Sequence, residues 1–234
     1  MSEIKLSSVY IRNSEKELFS DLSLSIPAGS FTLLRGGNGS GKFLLLKVIG
    51  GILQPDKGEV EVNGNEVYNY LASENTTSVP SAFIFQNGAM ISNLNIGENL
   101  MLPLDFHFPQ MPLTEKKKKI EYYMKLFGLK NILNVRPSNL EPDILKLAGI
   151  IRAFIVEPGL IIMHEPFEKL DDDQINIFEK LVEEEYKKGT SFILSSRINR
   201  KLSNMANYIV ELYDHKIEWS GTIDEFRNNL ILND

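Results

Sequence analysis

Hydrophobic and polar residues alternate along the first part of the chain. Residues 4–9 and 21–26 both show this alternation, which is typical of half-buried antiparallel strands, and a polar loop at residues 12–17 joins them. A short apolar strand at residues 31–34 then leads into a glycine-rich loop and a helix-like run at residues 43–49. Asn63-Gly64 adds a hairpin signal. The pattern predicts an antiparallel sheet, followed by the strand, loop and helix order of a phosphate-binding site.

The strand signal is lost between residues 95 and 154, where a helical period replaces it. Thr114 is expected to cap a helix that ends at Gly128. The apolar residues of this helix follow helical spacing and are Ile120, Tyr123, Met124 and Phe127. Beyond this region a strand at residues 160–163, a helix at 174–186 and a strand at 191–196 alternate. Such alternation indicates a mostly parallel core sheet.

The predicted elements fit a single α/β domain over residues 1–234. Its 43% hydrophobic content is enough to bury a sizeable core. Residues 1–94 and 155–234 are expected to form that core together with the antiparallel β part. Residues 95–154 are expected to form a helical subdomain inserted into it.

Charge and residue usage exclude several classes of function. A formal net charge of -6 gives no electrostatic reason to expect nucleic-acid binding. The absence of cysteine excludes disulfides and thiolate chemistry, and three scattered histidines favour no dedicated metal site. The longest apolar stretch, residues 147–163, is interrupted by Arg152, Glu157 and Pro158. We therefore expect a cytoplasmic protein that contacts a membrane only through partners.

Residues 36–42 match the first seven positions of the phosphate-binding pattern G-x-x-x-x-G-K-[ST]. In that pattern, backbone N–H groups cradle the phosphates and the lysine reaches the terminal ones. The candidate nucleotide-binding residues are Gly36, Gly37, Asn38, Gly39, Ser40, Gly41, Lys42 and, at the eighth position, Phe43. That eighth residue should be a Ser or Thr whose hydroxyl holds Mg²⁺, but a phenylalanine has no oxygen to offer. ATP could still bind at such a loop, whereas Mg²⁺ would be poorly held.

With this loop as anchor, the chain resembles the ABC transporter nucleotide-binding (ATPase) family over nearly its whole length. The similarity rests on residues 55–58 and 62–64, on Phe85-Gln86, and on residues 152–158 and 160–167. It implies a P-loop NTPase fold of the ABC type, transmembrane permease subunits as partners, and a second ABC subunit in a homodimer or heterodimer.

The same resemblance suggests a role for Gln86 and a cargo. Gln86 stands in the glutamine loop, which in this family senses the metal and lies near the groove that receives the permease. It is therefore a catalytic candidate. Residues 85–90, 98–100 and 102–104 are especially similar to the ATPases of bacterial Mla and MCE lipid transporters. That similarity implies a lipid-related transporter.

Besides Phe43, the chain departs from the family pattern at four further places. Residues 140–144, where the signature should lie, place negative charge and a proline where a partner's phosphate would sit. His164 replaces the Asp of the metal site, although the catalytic-type Glu165 follows it; Glu165 either serves as a base or only lies near a phosphate pocket. Arg197 replaces the switch histidine, and it either contacts a phosphate or forms a surface salt bridge. The adenine-stacking aromatic falls near Asn13.

These losses are difficult to reconcile with ordinary ATP turnover. The favoured hypothesis is a pseudo-ATPase, a structural or regulatory subunit beside a permease on the inner face of the cell membrane. The alternatives are an ABC ATPase with residual or atypical hydrolysis that uses Glu165, and a soluble ABC-fold protein that works away from membranes. Asp171 is expected either at a dimer interface or at the solvated start of a helix.

Overall fold

The computed structural model describes residues 3–13, 16–68, 81–198 and 200–232, and the loop predicted at residues 12–17 lies partly outside them. The strands are β1 (Ile4–Arg12), β2 (Glu17–Ile26), β3 (Phe31–Gly36), β4 (Lys57–Val62), β5 (Asn65–Glu66), β6 (Ser81–Ile84), β7 (Leu160–His164), β8 (Ser191–Ser195), β9 (Tyr208–Tyr213) and β10 (Lys216–Thr222). The helices are α1 (Lys42–Ile49), α2 (Ile96–His107), α3 (Leu113–Leu126), α4 (Pro142–Phe154), α5 (Asp172–Lys187), α6 (Lys201–Asn204) and α7 (Ile223–Leu232).

The predicted antiparallel sheet is present, with strand order β2-β1-β4-β5. β1 pairs antiparallel with β2 on one side and with β4 on the other. The apolar residues of the alternating pattern, such as Ile4 and Leu6, point inward and are 0% and 2% exposed. Asn63 and Gly64 form the β4–β5 hairpin turn with φ values of 56° and 69°. Two successive positive φ values suit the right-handed twist of the flanking strands, which explains the Asn-Gly pair.

The second sheet has the order β10-β9-β3-β8-β7-β6 and is parallel from β6 to β9. Among the described strands of this sheet, β9 and β10 form the antiparallel pair. The apolar run of β7 is fully buried because both sheet faces are covered. Ile161 and Met163 pack against α2–α5, while Leu160 and Ile162 pack toward α1 and the antiparallel sheet. The mostly parallel core sheet predicted from the sequence is thus confirmed.

Three helices, α2 to α4, occupy the region where the strand signal is lost. Asn95 caps α2 in a reciprocal arrangement with Glu98, which satisfies two backbone donors at the helix start. The prediction that Thr114 caps the next helix is wrong, because α3 begins at Leu113 with Pro112 as its N-cap residue. Proline has a φ suited to helix entry, so the chain enters the helix before Thr114 is reached. Within the described residues, no helix is long and apolar enough to cross a membrane.

The topology brings three loops to one edge of the parallel sheet. The carboxyl ends of β3, β7 and β8 lie side by side, because these three strands are adjacent and parallel. The loops that follow them contain residues 37–41, Glu165 and Arg197. Open α/β sheets bind ligands at this edge.

Candidate functional site

The glycine-rich loop wraps the amino end of α1, as its pattern predicts. Gly36 has a φ of 145°, and a Cβ built there would lie 2.4 Å from the carbonyl oxygen of Leu212. Gly41 precedes α1 with a φ of 98°, and a Cβ there would lie 3.0 Å from the ring of His215. Only glycine accommodates both the conformation and the close approach at these two positions. The loop therefore keeps the geometry of an anion-binding turn.

Lys42 is turned back onto that loop. Its Nζ donates hydrogen bonds to the carbonyl oxygens of Gly36 at 2.7 Å and Gly37 at 2.8 Å. Burial lowers the pKa of Lys42; Glu165 opposes this shift, and Arg197 adds to it. The ammonium group is thus held in place by backbone oxygens, and it is close enough to Glu165 and Arg197 to interact with them electrostatically.

A cavity of about 440 Å³ opens beside the loop. It brings together candidate residues from four separate segments of the chain. Gly36 and Gly37 shape the loop without lining this cavity, and Asn13, the residue nearest the expected adenine-stacking position, does not line it either. The residues that line it are Leu18, Asn38, Gly39, Ser40, Gly41, Lys42, Phe43, Leu44, Gln86, His164, Glu165, Arg197 and His215.

Two aromatic rings stack where the metal-binding oxygens of a P-loop enzyme would be. The rings of Phe43 and His164 are 4.5 Å apart between centroids and inclined by 18°. Phe83 contacts the Phe43 ring edge-on at 6.4 Å, and the Lys47 ammonium lies 5.0 Å over the same ring. Burial lowers the pKa of His164, which favours its neutral form. Nδ1 of His164 is buried without a hydrogen-bond partner among the described residues.

This donor set does not fit a magnesium ion. Mg²⁺ prefers oxygen ligands, whereas Phe43 supplies none and His164 supplies an imidazole in place of a carboxylate. The described part of the chain also contains no group of three or more His, Cys, Asp or Glu residues that could hold a metal ion.

Glu165 follows β7 and is tied into an ionic network. It is 4% exposed and has a φ of 44°. Its Oε1 lies 3.3 Å from Nε of Arg197, and its Oε2 accepts the backbone N–H of Arg197 at 3.1 Å. Nη2 of Arg197 lies 2.9 Å from Glu168 Oε1, while Gln86 donates to Glu168 Oε2 at 2.5 Å. Arg197 therefore forms the salt bridges of one sequence-based alternative, and because it also lines the cavity, its contact with a phosphate stays a prediction.

Lys146 is a central residue that the sequence analysis missed. It is 0% exposed, and its Nζ donates to the carbonyl oxygens of Phe85 at 2.7 Å and Glu165 at 3.1 Å. Burial lowers its pKa to about 7, against the partial opposition of Glu168. The available signal was a single lysine within the otherwise apolar run of α4. Glu168 and His215 were missed as well, because nothing in their local sequence marks them.

The segment at residues 140–144 forms the start of α4 and does not line the cavity of its own chain. Glu141 is the N-cap residue without a side-chain cap, and Pro142 opens the helix. Asp171 caps α5 and accepts a hydrogen bond from the backbone N–H of Gln174 at 2.8 Å, so the helix-start interpretation holds for it.

A second, more apolar cavity of about 570 Å³ lies beside Phe85, and its rim carries the exposed side chains of Leu102 and Phe106.

Comparisons with known proteins agree with this geometry. A sequence profile of the family described as ABC transporter matches residues 19–168. The intermembrane phospholipid transport system ATP-binding protein MlaF of Escherichia coli K12 is 28% identical over 214 residues, covering 91% of this chain and 79% of that protein. The ABC transporter ATP-binding protein YtrE of Bacillus subtilis is 27% identical, covering 91% and 92%.

Solved structures show the same fold. The ATP-binding subunit of an ABC transporter superposes with a TM-score of 0.85 at 23% identity, covering 98% of this chain and 93% of that one. A dimeric ATP-binding cassette in a post-hydrolysis state, bound to ADP and Pi, superposes with a TM-score of 0.81 at 23% identity, covering 94% and 98%.

Proposed function

The chain belongs to the ABC transporter family as an ATP-binding subunit, and from that premise we propose that it is a catalytically impaired pseudo-ATPase of a lipid-related transporter. In this role it binds nucleotide and acts structurally or as a regulator beside a permease. The observation that carries the proposal is the stacked pair of Phe43 and His164.

The stacked rings of Phe43 and His164 take the place of the two side chains that would hold the metal. Phosphoryl transfer in P-loop enzymes depends on a magnesium ion that neutralises the developing charge, and the Ser or Thr of the loop and a nearby Asp hold that ion. Here both positions are changed, and the two replacements pack against each other at van der Waals distance. A substitution that restores an oxygen at only one of the two positions leaves the aromatic ring at the other position in place. Loss of a few kcal/mol of charge stabilisation slows hydrolysis by several powers of ten.

Glu165, the candidate general base, is also paired with Arg197. A carboxylate that activates water must have an oxygen free to take the proton, and both oxygens of Glu165 already contact Arg197, one at its side chain and one at its backbone N–H. Arg197 also occupies the position from which a switch histidine would contact a phosphate. These contacts support binding without turnover.

The start of α4 argues against an ordinary closed dimer. In the family this helix end clamps the nucleotide of the second subunit. Here Glu141 and Asp143 place two carboxylates at the helix end, and Pro142 lacks the amide that could donate to a phosphate. A partner subunit with intact motifs would therefore meet a repulsive surface, and a homodimer would contain two impaired sites.

We assign residues 95–154 to a helical subdomain and residues 1–94 and 155–234 to the core. The apolar cavity next to Phe85, between these two parts, is the docking groove for the transmembrane permease. The likeness to MlaF supports a lipid cargo and a place on the inner face of the cell membrane. Association with a permease would bring the protein to the membrane through that partner alone.

Phosphate release from the purified protein over hours tests the proposal. We expect no release above the background of a Lys42→Ala variant, because neither the metal site nor the base is functional. A magnesium-dependent release that Glu165→Gln abolishes would instead establish the alternative, an ABC ATPase with atypical hydrolysis. Failure to co-purify with membrane components would favour a protein that works away from membranes.

A further inference from the structure

His215 brings an aromatic ring to the cavity from a turn that does not need one. It lies in the β9–β10 hairpin turn, where Asp214 and His215 have φ values of 41° and 63°. An Asp-Gly pair suits two successive positive φ values best, so the backbone gives no reason for an imidazole at this position. The side chain of His215 nevertheless lines the cavity and is 21% exposed. This ring is therefore a candidate contact for the molecule that the cavity binds.

The turn and the ring are each fixed against the phosphate loop. The backbone N–H of His215 donates to the carbonyl oxygen of Ser40 at 3.1 Å, which anchors the turn without using the side chain. The ring lies edge-on to that of Phe19, with centroids 6.3 Å apart and planes inclined by 63°. A Cβ built on Gly41 would lie 3.0 Å from Cδ2 of the same ring, and Nδ1 lies 3.6 Å from Oδ1 of Asp214. The imidazole is therefore positioned by its neighbours at the amino end of α1.

The order of the strands separates this ring from the charged lining residues. The phosphate loop follows β3, and in the sheet β8, β7 and β6 lie on one side of β3 while β9 lies on the other. Gln86, Glu165 and Arg197 come from the first side, and all three line the cavity. His215 comes from the second side, together with Leu18, whose neighbour in sequence contacts the ring of His215. One end of the cavity is therefore charged, and the other offers an aliphatic and an aromatic side chain.

These two ends match the two chemical parts of a nucleotide. The loop N–H groups and the ammonium of Lys42 suit the phosphates, and Lys42 interacts electrostatically with residues of the charged end. A nucleobase is uncharged and has two flat faces that stack on aromatic side chains, histidine included. Asn13, the residue nearest the expected adenine-stacking position, does not line the cavity. The end formed by Leu18 and His215 supplies the surface that a base requires.

On the basis of the proposed function, we infer that Leu18 and His215 form the base-binding end of the cavity, where the imidazole of His215 stacks on the base of a bound nucleoside triphosphate. The site then selects a nucleotide over a bare polyphosphate, because only the nucleotide has a base to place there. Stacking of a base on a partly exposed aromatic side chain strengthens binding about five- to thirtyfold.

Calorimetric titrations with ATP and with inorganic triphosphate, both in EDTA, separate the base from the phosphates. His215→Gly removes the ring, and glycine suits the φ of 63° and keeps the backbone N–H that Ser40 accepts. His215→Asn is a second variant without a ring, since asparagine also tolerates a positive φ, and His215→Phe restores an aromatic ring. Asp214→Gly is the matched control, because it places glycine in the same turn at a residue that does not line the cavity. The quantity compared is the ratio of the two dissociation constants in each protein.

We expect His215→Gly and His215→Asn to weaken ATP binding about five- to thirtyfold and to leave triphosphate binding unchanged. His215→Phe should bind ATP as the parent does, and Asp214→Gly should leave the ratio unchanged. If His215→Gly weakens the binding of both ligands equally, the residue acts through the phosphate loop and the base contact is refuted. If ATP binds the parent and His215→Gly equally well, the base contact is also refuted and the nucleotide-binding subunit stands. If ATP fails to bind the parent at all, the proposed function and the base contact are both wrong.

Discussion

The pH dependence of stability should carry the signature of Lys146. Its ammonium is fully buried, and its hydrogen-bond acceptors among the described residues are the carbonyl oxygens of Phe85 and Glu165. Burial lowers its pKa to about 7 from an ordinary value of 10.5. The unfolded chain therefore binds more protons than the folded chain over that interval, and unfolding becomes less favourable as pH rises from 7 toward 10.5.

The size of the change in stability follows from the shift in the pKa of Lys146. Each pKa unit corresponds to about 1.4 kcal/mol, so raising the solution from about pH 7 to about pH 9 should add about 2 kcal/mol to the free energy of unfolding. Comparison with Lys146→Met isolates this contribution, because the other titrating groups are common to both proteins. Lys117→Met, on the exposed face of α3, is the control.

The assay is equilibrium denaturation with urea at both pH values. We expect the difference in unfolding free energy between the parent protein and Lys146→Met to grow by about 2 kcal/mol over the interval, and the Lys117→Met difference to stay constant. A parent-minus-variant difference that does not change with pH would show that Lys146 keeps an ordinary pKa and that the buried-ammonium account is wrong.

Three further outcomes follow from individual contacts. Gly149→Ala should lower the free energy of unfolding by about 1–3 kcal/mol in urea denaturation, because its Cβ would lie 2.6 Å from the Cα of residue 88. Gly37→Ala is the control, because its Cβ would meet no described atom within 4 Å. Asp171→Ala should cost about 0.5–2 kcal/mol by the same method through loss of the α5 cap. Phe43→Ser combined with His164→Asp should make ATP binding at least about tenfold tighter with Mg²⁺ in calorimetry, and Phe43→Ser alone should not.

Local sequence patterns predicted most of the fold. Alternation gave the antiparallel sheet, Asn63-Gly64 gave the hairpin, and the glycine spacing placed the phosphate loop between β3 and α1. Each of these features is determined by a few neighbouring residues. The prediction that Thr114 caps α3 was wrong because Pro112, two residues earlier, is the N-cap residue.

The contacts that define the site could not be predicted in this way. Phe43 and His164 were each recognised as substitutions at a metal site, but the sequence gives no indication that their rings stack. Lys146 donates hydrogen bonds to two separate loops, and Glu168 contacts both Arg197 and Gln86. These contacts depend on how β7, β8 and α4 pack. Such contacts arise from tertiary structure and leave no periodic signal.

We propose that this site binds nucleotide independently of magnesium. The most direct test is a calorimetric titration of the purified protein with ATP, in EDTA and again with Mg²⁺, using Lys42→Ala as the control for binding at the loop. We expect the same affinity for ATP in both conditions and loss of binding in Lys42→Ala. Binding of ATP that requires Mg²⁺, or that tightens strongly when Mg²⁺ is added, would contradict this proposal and establish a working metal site.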